Sequence, residues 1–404
     1  MRQFFICCLL VVWTCVVLPA QTTDITKSGF SAERLARYEQ FLQGEIDENR
    51  LAGAVSYVVR KGEVAHRGAL GYSNLAEKTP MTEDKIFHLM SMTKPIVSVA
   101  FMMLYEEGHF ELFDKVEDYL PEFKNLRVSL DPSKGPDGET EAIKEPVRII
   151  HLLNHTAGFS HGLSGTKLDN ELAKALYYSP QENIETRVAT LASMPLVGHP
   201  GEQWFYSASP DVLALLIEKF SGMTAEAFLQ KRIFGPLEMN DTGYNIPDNK
   251  IGRQTYLHGY DKAGKFGNQP GAPVQQNTVF GGTHGLLSTA ADYAKFAQML
   301  LNGGAWEGKR YLSRKTLELM TLNHVGDLRG NGEGFGLGFG VVTDLAKTQQ
   351  LGSVGRFHWS GAYCTYFFVD PKEELVAILL TQTAPYNDDL RRKFQQLIYQ
   401  AIAD

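Results

Sequence analysis

Apolar positions along this 404-residue chain follow a helical period in some segments and a strand-like pattern in others. The first helical segment runs from Ser31 to Arg50 and is predicted to be an amphipathic helix. Its apolar face consists of Leu35, Tyr38, Leu42 and Ile46. The next stretch, AVSYVVRKGEVAHRGALGYSN, predicts two strands joined by a turn at Lys61-Gly62. A helix and a hairpin therefore precede the rest of the chain.

The segment FHLMSMTKPIVSVAFMMLY, from Phe87 to Tyr105, is apolar enough to predict a buried helix. Pro95 has no N–H and fits only in the first turn of a helix, so Ser91 is expected at or just before the helix start. Further helices are predicted at Val147–Asn154, Asn170–Tyr178, Asn183–Ser193, DVLALLIEKFSG ending at Gly222, Ala290–Leu301 and Asp388–Ala401.

Three C-terminal segments, GFGLGFGVV, FHWSGAYCTYFFVDP and ELVAILLTQT, predict successive strands. The polar region from Asn125 to Glu145, with several Gly, Pro and acidic residues, is predicted to be an exposed excursion. Strands at both ends of the chain with helices between them predict one sheet assembled from the two termini and a mostly helical insertion.

The N-terminus is typical of a targeting segment. Arg2 precedes fifteen mostly apolar residues, Phe4–Leu18, which are followed by Pro19-Ala20. We interpret residues 1–20 as a signal peptide, which predicts an exported, periplasmic or secreted mature chain of residues 21–404. Because Leu18 stands where a small residue is preferred, an uncleaved membrane anchor is the alternative.

The composition excludes some classes of partner and an internal disulfide. A net charge of −7 argues against nucleic acid and against an anionic membrane surface as a partner, so membrane contact is expected only if the N-terminal segment stays uncleaved. Three of the four cysteines lie within residues 1–20, and Cys364 alone would remain, without an internal disulfide. We interpret Cys364 as a small core residue rather than a nucleophile.

Ser91 and Lys94 are candidates for nucleophilic chemistry because residues three apart share one helical face. A serine at a helix start also has free backbone N–H groups and a positive dipole end beside it. This setting suits a nucleophile that becomes an oxyanion and then an acyl ester. The S-x-x-K spacing is that of penicillin-recognising serine hydrolases, in which the lysine helps to deprotonate the serine.

Two other serine motifs compete with this assignment. Ser164–Lys167 repeats the S-x-x-K spacing inside a Gly-rich polar run, which we interpret as a loop. Gly158–Gly162 matches the G-x-S-x-G nucleophile elbow, with Ser160 at its centre. That motif needs a buried strand before it and a helix after it, and here the preceding segment is predicted to be helical. Ser160 is therefore the weaker candidate.

His151 and His155 have the spacing of the two metal ligands of H-E-x-x-H, but Leu152 stands where that motif has glutamate. We interpret the two histidines as a structural pair and predict no metal site. Tyr206 precedes the helix DVLALLIEKFSG at a position from which its phenol can reach a cleft. A tyrosine near a lysine can accept a proton. The alternative for Tyr206 is membership of an aromatic cluster at the edge of the core.

Three motifs stand in an informative order: Ser91-Met92-Thr93-Lys94, Tyr206-Ser207-Ala208 and Trp359-Ser360-Gly361. In order and approximate spacing the chain resembles the serine β-lactamase and penicillin-binding superfamily, most of all its class C-like branch and the family VIII carboxylesterases. The resemblance extends to His155–Gly158, Gly281–Thr289 and Gly334–Val341.

The resemblance implies an α/β fold of the α+β type, with an antiparallel sheet flanked by helices and an all-helical inserted domain. The sheet domain would comprise about residues 28–88 and 276–404, and the helical domain about residues 89–275. The active site would lie in the cleft between them.

The resemblance also implies roles for individual residues. Ser91 would be the acylated nucleophile, and Lys94 and Tyr206 would share general-base and general-acid work, with their division open because their titrations are coupled. The oxyanion hole would consist of the backbone N–H groups of Ser91 and Ala362, the latter on the strand after the third motif. Substrate contacts would come from Trp359, Ser360 and Gly361.

Two departures from the β-lactamase pattern point to the substrate. Trp359 replaces the lysine that begins the third motif, and Ala208 replaces the asparagine that ends the second motif. Both changes weaken recognition of a charged, amide-bearing substrate and suit neutral, apolar acyl esters.

The hypothesis is therefore a carboxylesterase that hydrolyses small or medium acyl esters through an acyl-enzyme at Ser91, without metal or organic cofactor. The alternatives are a β-lactamase or D-aminoacyl peptidase on the same fold, a sensor or binding protein without turnover, and an α/β-hydrolase that uses Ser160.

Overall fold

The computed structural model describes residues 25–404, in which strands dominate the two ends of the chain and helices dominate its middle. The α-helices are α1 (Ala32–Asp47), α2 (Thr93–Glu106), α3 (Ile149–Leu153), α4 (Lys167–Ala173), α5 (Ile184–Ser193), α6 (Ser209–Ser221), α7 (Ala225–Leu229), α8 (Ala290–Leu301), α9 (Arg314–Met320), α10 (Leu345–Thr348) and α11 (Asp388–Tyr399). The strands are β1 (Gly53–Arg60), β2 (Glu63–Asn74), β3 (Thr79–Pro80), β4 (Phe87–His88), β5 (Arg127–Ser129), β6 (Thr140–Ala142), β7 (Leu257–Tyr260), β8 (Phe266–Gln269), β9 (Leu287–Ser288), β10 (Ala305–Trp306), β11 (Lys309–Arg310), β12 (Glu333–Phe335), β13 (Gly340–Val342), β14 (Phe357–Gly361), β15 (Thr365–Asp370) and β16 (Leu375–Thr381).

An eight-stranded antiparallel sheet joins the two ends of the chain, in the order β12-β13-β14-β15-β16-β1-β2-β3. The junction is the pairing of β16 with β1, in which Ala54 lies opposite Thr381. Both strands are almost entirely apolar and buried, as expected for the centre of a sheet that is covered on both faces. The predicted α+β fold, with a sheet built from both termini, is confirmed.

Side chains of the central strands alternate between two apolar layers. On β1, Val55 and Val59 belong to a large core that also contains buried residues of α2, α6 and α8. Ala54 and Val58 point to the opposite face, where they join a second core with residues of α1 and α11. Helices therefore cover the sheet on both faces.

Local signals in the sequence define several element ends. Ser31 caps α1, because its hydroxyl accepts a hydrogen bond from the backbone N–H of Arg34 at 3.3 Å. Gly222 ends α6 in a left-handed conformation with φ of 67°, which glycine adopts without strain. The range predicted for α8, Ala290–Leu301, is also the observed one.

The C-terminal strand predictions were too coarse in two places. The segment GFGLGFGVV forms two strands, β12 and β13, because Gly338 adopts φ of 100° and reverses the chain. The segment FHWSGAYCTYFFVDP likewise contains β14 and β15. Ala362 lies in the turn between these strands, so its placement on the following strand was wrong.

The polar region of residues 125–145, predicted to be an exposed excursion, is exposed or half-buried over most of its length. It contains the β5–β6 hairpin, and Val128 of β5 is buried in the large core.

The predicted signal peptide, residues 1–20, lies outside the described residues, and the limits of the two domains stay predictions. Within residues 25–404, no helix combines the length and the apolar character needed to cross a membrane.

Candidate active site

Ser91 lies in a single 3₁₀ turn, Met90–Met92, directly before α2. The preceding residue, Met90, has φ of 50°, a left-handed conformation that is strained for a methionine. Pro95 falls in the first turn of α2, as predicted. The serine hydroxyl is therefore held at the N-terminal end of a buried helix, at a sharp bend in the backbone.

Strand β14 packs directly against this turn through Gly361. A Cβ atom at Gly361 would overlap the Leu89 carbonyl oxygen, so only glycine allows the two backbones to approach this closely. The Thr365 hydroxyl donates a hydrogen bond to the same carbonyl oxygen at 3.0 Å. The third motif is thereby fixed beside Ser91.

Lys94 is buried, with 1% of its surface exposed, and its Nζ has three polar neighbours. Nζ lies 3.2 Å from Ser91 Oγ, 2.9 Å from the Thr283 carbonyl oxygen and 3.3 Å from His161 Nε2. Burial lowers the pKa of Lys94 well below its ordinary value, and the charge of Asp211 opposes that change. The amine is therefore biased toward its neutral form, in which it can accept a proton.

The Thr283 carbonyl reaches Lys94 because two glycines precede it. A Cβ at Gly282 would overlap the Pro210 carbonyl oxygen, and one at Gly281 would crowd the Asp211 carboxylate. Asp211 in turn accepts a hydrogen bond from the Thr283 N–H at 2.8 Å. The Gly281–Thr289 stretch thus positions a backbone acceptor for the lysine.

Tyr206 lies in the loop before α6, with its hydroxyl oxygen buried and without a hydrogen bond of good geometry. Lys94 Nζ lies 4.5 Å from the centroid of its ring. Burial raises the pKa of Tyr206 above its ordinary value, and the nearby Ser91 hydroxyl and Trp359 indole oppose that change only in part. The phenol is therefore biased toward its protonated form.

Aromatic rings form one wall of the site. The Trp359 ring lies 5.3 Å from the Tyr206 ring and 5.2 Å from the Phe335 ring, centroid to centroid. Ala208, the last residue of the second motif, is fully buried and adds no polar group. Next to Trp359, the Ser360 hydroxyl accepts a hydrogen bond from the Tyr386 hydroxyl at 3.2 Å.

The competing serines do not have this environment. Ser160 donates a hydrogen bond to Asp169, and its oxygen also accepts one from the Gly162 N–H at 3.1 Å. The second S-x-x-K spacing ends at Lys167, which is exposed and opens α4, so this lysine begins a helix rather than lying in a loop.

The two histidines with metal-ligand spacing have separate partners. His151 Nδ1 accepts from the Arg148 N–H at 3.2 Å, whereas His155 Nδ1 lies 2.8 Å from Ser207 Oγ. Across residues 25–404, no three side chains of the metal-ligating types cluster around a common point.

His161 is the residue of this site that the sequence analysis missed. Its ring stacks on Tyr206 with centroids 4.9 Å apart and planes 22° from parallel, in addition to its approach to Lys94. Burial lowers the pKa of His161 well below its ordinary value, and the charge of Lys94 lowers it further. The Gly158–Gly162 motif contains both Ser160 and His161, and nothing in the motif itself indicates which of the two side chains faces the cleft.

Comparison with known proteins identifies the family of this chain. Residues 38–401 match the sequence profile of the Beta-lactamase family. Protein Rv1367c of Mycobacterium tuberculosis is 31% identical over 355 residues, which cover 84% of this chain and 88% of that protein. Esterase EstB of Burkholderia gladioli is 29% identical over 392 residues, covering 91% of this chain and 95% of EstB.

The fold comparison leads to the same group. The solved structure of EstCE1, described as a hydrolase with promiscuous acyltransferase activity, superposes with a TM-score of 0.79 at 25% identity, covering 94% of this chain and 99% of EstCE1. The resemblance seen in the three motifs is thus confirmed, and this chain belongs to the beta-lactamase family, as a serine hydrolase of the β-lactamase and penicillin-binding superfamily with esterases among its relatives.

Proposed function

We propose that this protein is an exported serine carboxylesterase that hydrolyses small or medium acyl esters through an acyl-enzyme at Ser91. The observation that carries the proposal is the contact of Ser91 Oγ with Lys94 Nζ at 3.2 Å, in a site walled by aromatic rings. The names of EstB, an esterase, and EstCE1, a hydrolase, support the same class. Export rests on the sequence of residues 1–20.

Acylation begins with proton transfer from Ser91 to Lys94. The neutral amine accepts the hydroxyl proton while Oγ attacks the ester carbonyl carbon, which produces a tetrahedral oxyanion and an ammonium group. The lowered pKa of Lys94 supports this role, because a lysine with its ordinary pKa would hold its proton at neutral pH.

Tyr206 then serves as the proton donor to the leaving alcohol. The tetrahedral intermediate collapses as its bond to the alkoxide oxygen breaks, and the phenol protonates that oxygen while it takes a proton from the Lys94 ammonium. The raised pKa of Tyr206 and its position next to the Lys94 amine support this division of labour. In deacylation, water attacks the acyl-serine and the same two groups move the proton in the reverse direction.

The oxyanion hole is formed by the backbone N–H groups of Ser91 and Ala362. Among the described residues, neither group donates a hydrogen bond to another backbone or side-chain acceptor. Gly361, which precedes Ala362, packs on the turn that carries Ser91, so both donors belong to one contact region. Donors of this kind contribute about 3 kcal/mol each to the stabilisation of the transition state.

The proposed preference for acyl esters follows from two residues that line the site. Trp359 presents an apolar face and a single N–H donor where β-lactamases have a lysine ammonium. Ala208 removes the side-chain amide that would hydrogen-bond a substrate amide. A neutral ester loses little from these two changes, whereas a charged β-lactam or a peptide loses the contacts that the lysine and the asparagine would make.

A comparison of three substrates tests the proposal. The purified chain from Gln21 onward is expected to hydrolyse p-nitrophenyl butyrate at least about 10³-fold faster, in kcat/KM, than a chromogenic cephalosporin or a D-alanyl-D-alanine peptide. Rates of all three substrates would be measured with one enzyme preparation, with a preparation of the Ser91→Ala variant as the blank.

Any other outcome of this comparison would support a different class of protein. Faster turnover of the cephalosporin or of the peptide would contradict the esterase and favour a β-lactamase or a peptidase. A stoichiometric adduct on Ser91 that does not turn over would instead identify a sensor.

The proposed oxyanion hole predicts the effect of Gly361→Ala. The added Cβ would displace β14 from the Leu89 carbonyl and move the Ala362 N–H away from the reacting centre. We expect kcat for p-nitrophenyl butyrate to fall about 10²-fold. Gly252→Ala is the control, because a Cβ there meets no atom within 4 Å. Equal activity of the two variants would contradict the assigned position of the oxyanion hole.

A further inference from the structure

Burial favours the neutral form of the Lys94 amine, but burial alone does not fix the direction of its lone pair. A neutral amine has two N–H donors and one lone pair, and it deprotonates Ser91 only if the lone pair faces Oγ. The three polar neighbours of Nζ are Ser91 Oγ, the Thr283 carbonyl oxygen and His161 Nε2. The carbonyl oxygen can only accept, so it fixes one N–H.

The second N–H is fixed only if His161 Nε2 also accepts. A neutral imidazole has one protonated nitrogen and one with a free lone pair, so a proton on Nδ1 leaves Nε2 as an acceptor. Burial lowers the pKa of His161 and so disfavours the doubly protonated ring, which could not accept. In this tautomer both N–H groups of Lys94 are directed to fixed acceptors, and the remaining lone pair points at Ser91 Oγ.

The loop that carries His161 is anchored independently of the lysine. The backbone N–H of Ala208 donates a hydrogen bond to the Ser160 carbonyl oxygen at 3.0 Å. The imidazole also stacks on Tyr206, which fixes its plane. These contacts hold Nε2 in place whether or not Lys94 donates to it.

We propose that His161 is a positioning residue for Lys94, which accepts one of its N–H groups on Nε2 and so directs the amine lone pair at Ser91. It supplies a side-chain acceptor beside the lysine, which the alanine of the second motif, Ala208, cannot do. The inference rests on the proposed function, in that Ser91 is the group that Lys94 deprotonates.

A matched pair of variants tests this role. His161→Gln places an amide oxygen four bonds from Cα, as far as Nε2, whereas His161→Met has the same length and no comparable acceptor. With p-nitrophenyl butyrate we expect His161→Met to lower kcat about 10- to 100-fold with KM changed less than about 3-fold, and His161→Gln to stay within about 5-fold of the wild type. Thermal unfolding of both variants would show whether they remain folded at the assay temperature.

A second reaction separates this inference from the esterase proposal. A fluorophosphonate labels a serine nucleophile covalently, so its rate of attachment to Ser91 depends on the lysine but not on ester turnover. We expect labelling to slow in His161→Met and to be restored in His161→Gln.

Equal labelling and equal kcat in wild type and His161→Met would overturn the role of His161 and leave the esterase intact. Equal losses in both variants would also overturn it, because packing on Tyr206 would then explain the effect. A wild type that is labelled but hydrolyses no ester would refute only the esterase, and one that reacts with neither reagent would refute both proposals.

Discussion

Replacing Ser91 with alanine is expected to reduce p-nitrophenyl butyrate hydrolysis to the background rate, a loss of at least about 10⁴-fold in kcat. Without Oγ no acyl-enzyme can form, and the remaining groups have no nucleophile to activate. The variant should fold normally, because Ser91 is half-buried at a turn and its hydroxyl forms one hydrogen bond of good geometry among the described residues, to Lys94 Nζ. The hydrolysis rate and an intact-mass measurement of the acyl adduct after a rapid quench would check the result.

Ser160→Ala is the matched control, since Ser160 is the centre of the other serine motif. It is expected to keep kcat within about 5-fold of the wild type, because the Ser160 hydroxyl donates a hydrogen bond to the buried Asp169 carboxylate and, among the described residues, forms no hydrogen bond to a lysine or histidine side chain. Losing that buried hydrogen bond should lower the free energy of unfolding by about 1 to 3 kcal/mol, so the assay is run well below the Tm. An inactive Ser160→Ala beside an active Ser91→Ala would reverse the assignment.

Sequence reasoning predicted the fold wherever the signal was local. The periodicity of α1 and the helix stop at Gly222 depend on residues near in sequence, and both appear where they were expected. The turn at Ala362–Cys364 was missed because nothing local distinguishes a run of β-forming residues from two strands. Cys364 adopts φ of 62° there, a conformation that the pairing of β14 with β15 imposes.

The residues of the candidate site were likewise predictable only where the signal was local. Ser91 and Lys94 come from one short motif, and the helix geometry alone brings them together. Thr283 and His161 contact the same lysine from segments 189 and 67 residues away, and no sequence spacing predicts such contacts. Whether Gly158–Gly162 presents its serine or its histidine to a cleft depends on how the loop packs against the second motif, which only the three-dimensional structure reveals.

Replacing Lys94 with methionine is expected to lower kcat for p-nitrophenyl butyrate about 10³-fold while the protein stays folded. Methionine has a similar length and fills the same buried space, but it can neither accept the Ser91 proton nor return one through Tyr206. Lys167→Met, in the second S-x-x-K spacing, is the control and should leave kcat unchanged, because Lys167 is exposed. Comparable activity of Lys94→Met and Lys167→Met would contradict the general-base role.

The same variant tests the state of the buried amine through the pH dependence of stability. The pKa of Lys94 in the folded chain lies below its ordinary value of 10.5, so between those two values the unfolded chain binds more protons than the folded one. The contribution of Lys94 to the free energy of unfolding therefore rises with pH between these two pKa values. Below the folded-state pKa the lysine is charged in the folded chain, and the full cost of a buried ammonium is present.

Methionine removes that cost. The Tm difference between Lys94→Met and wild type should then be more positive at about pH 6 than at about pH 10. A difference that does not change with pH would mean that Lys94 titrates in the folded chain as it does in water, and that the site holds a charged lysine and not the neutral base on which the mechanism depends.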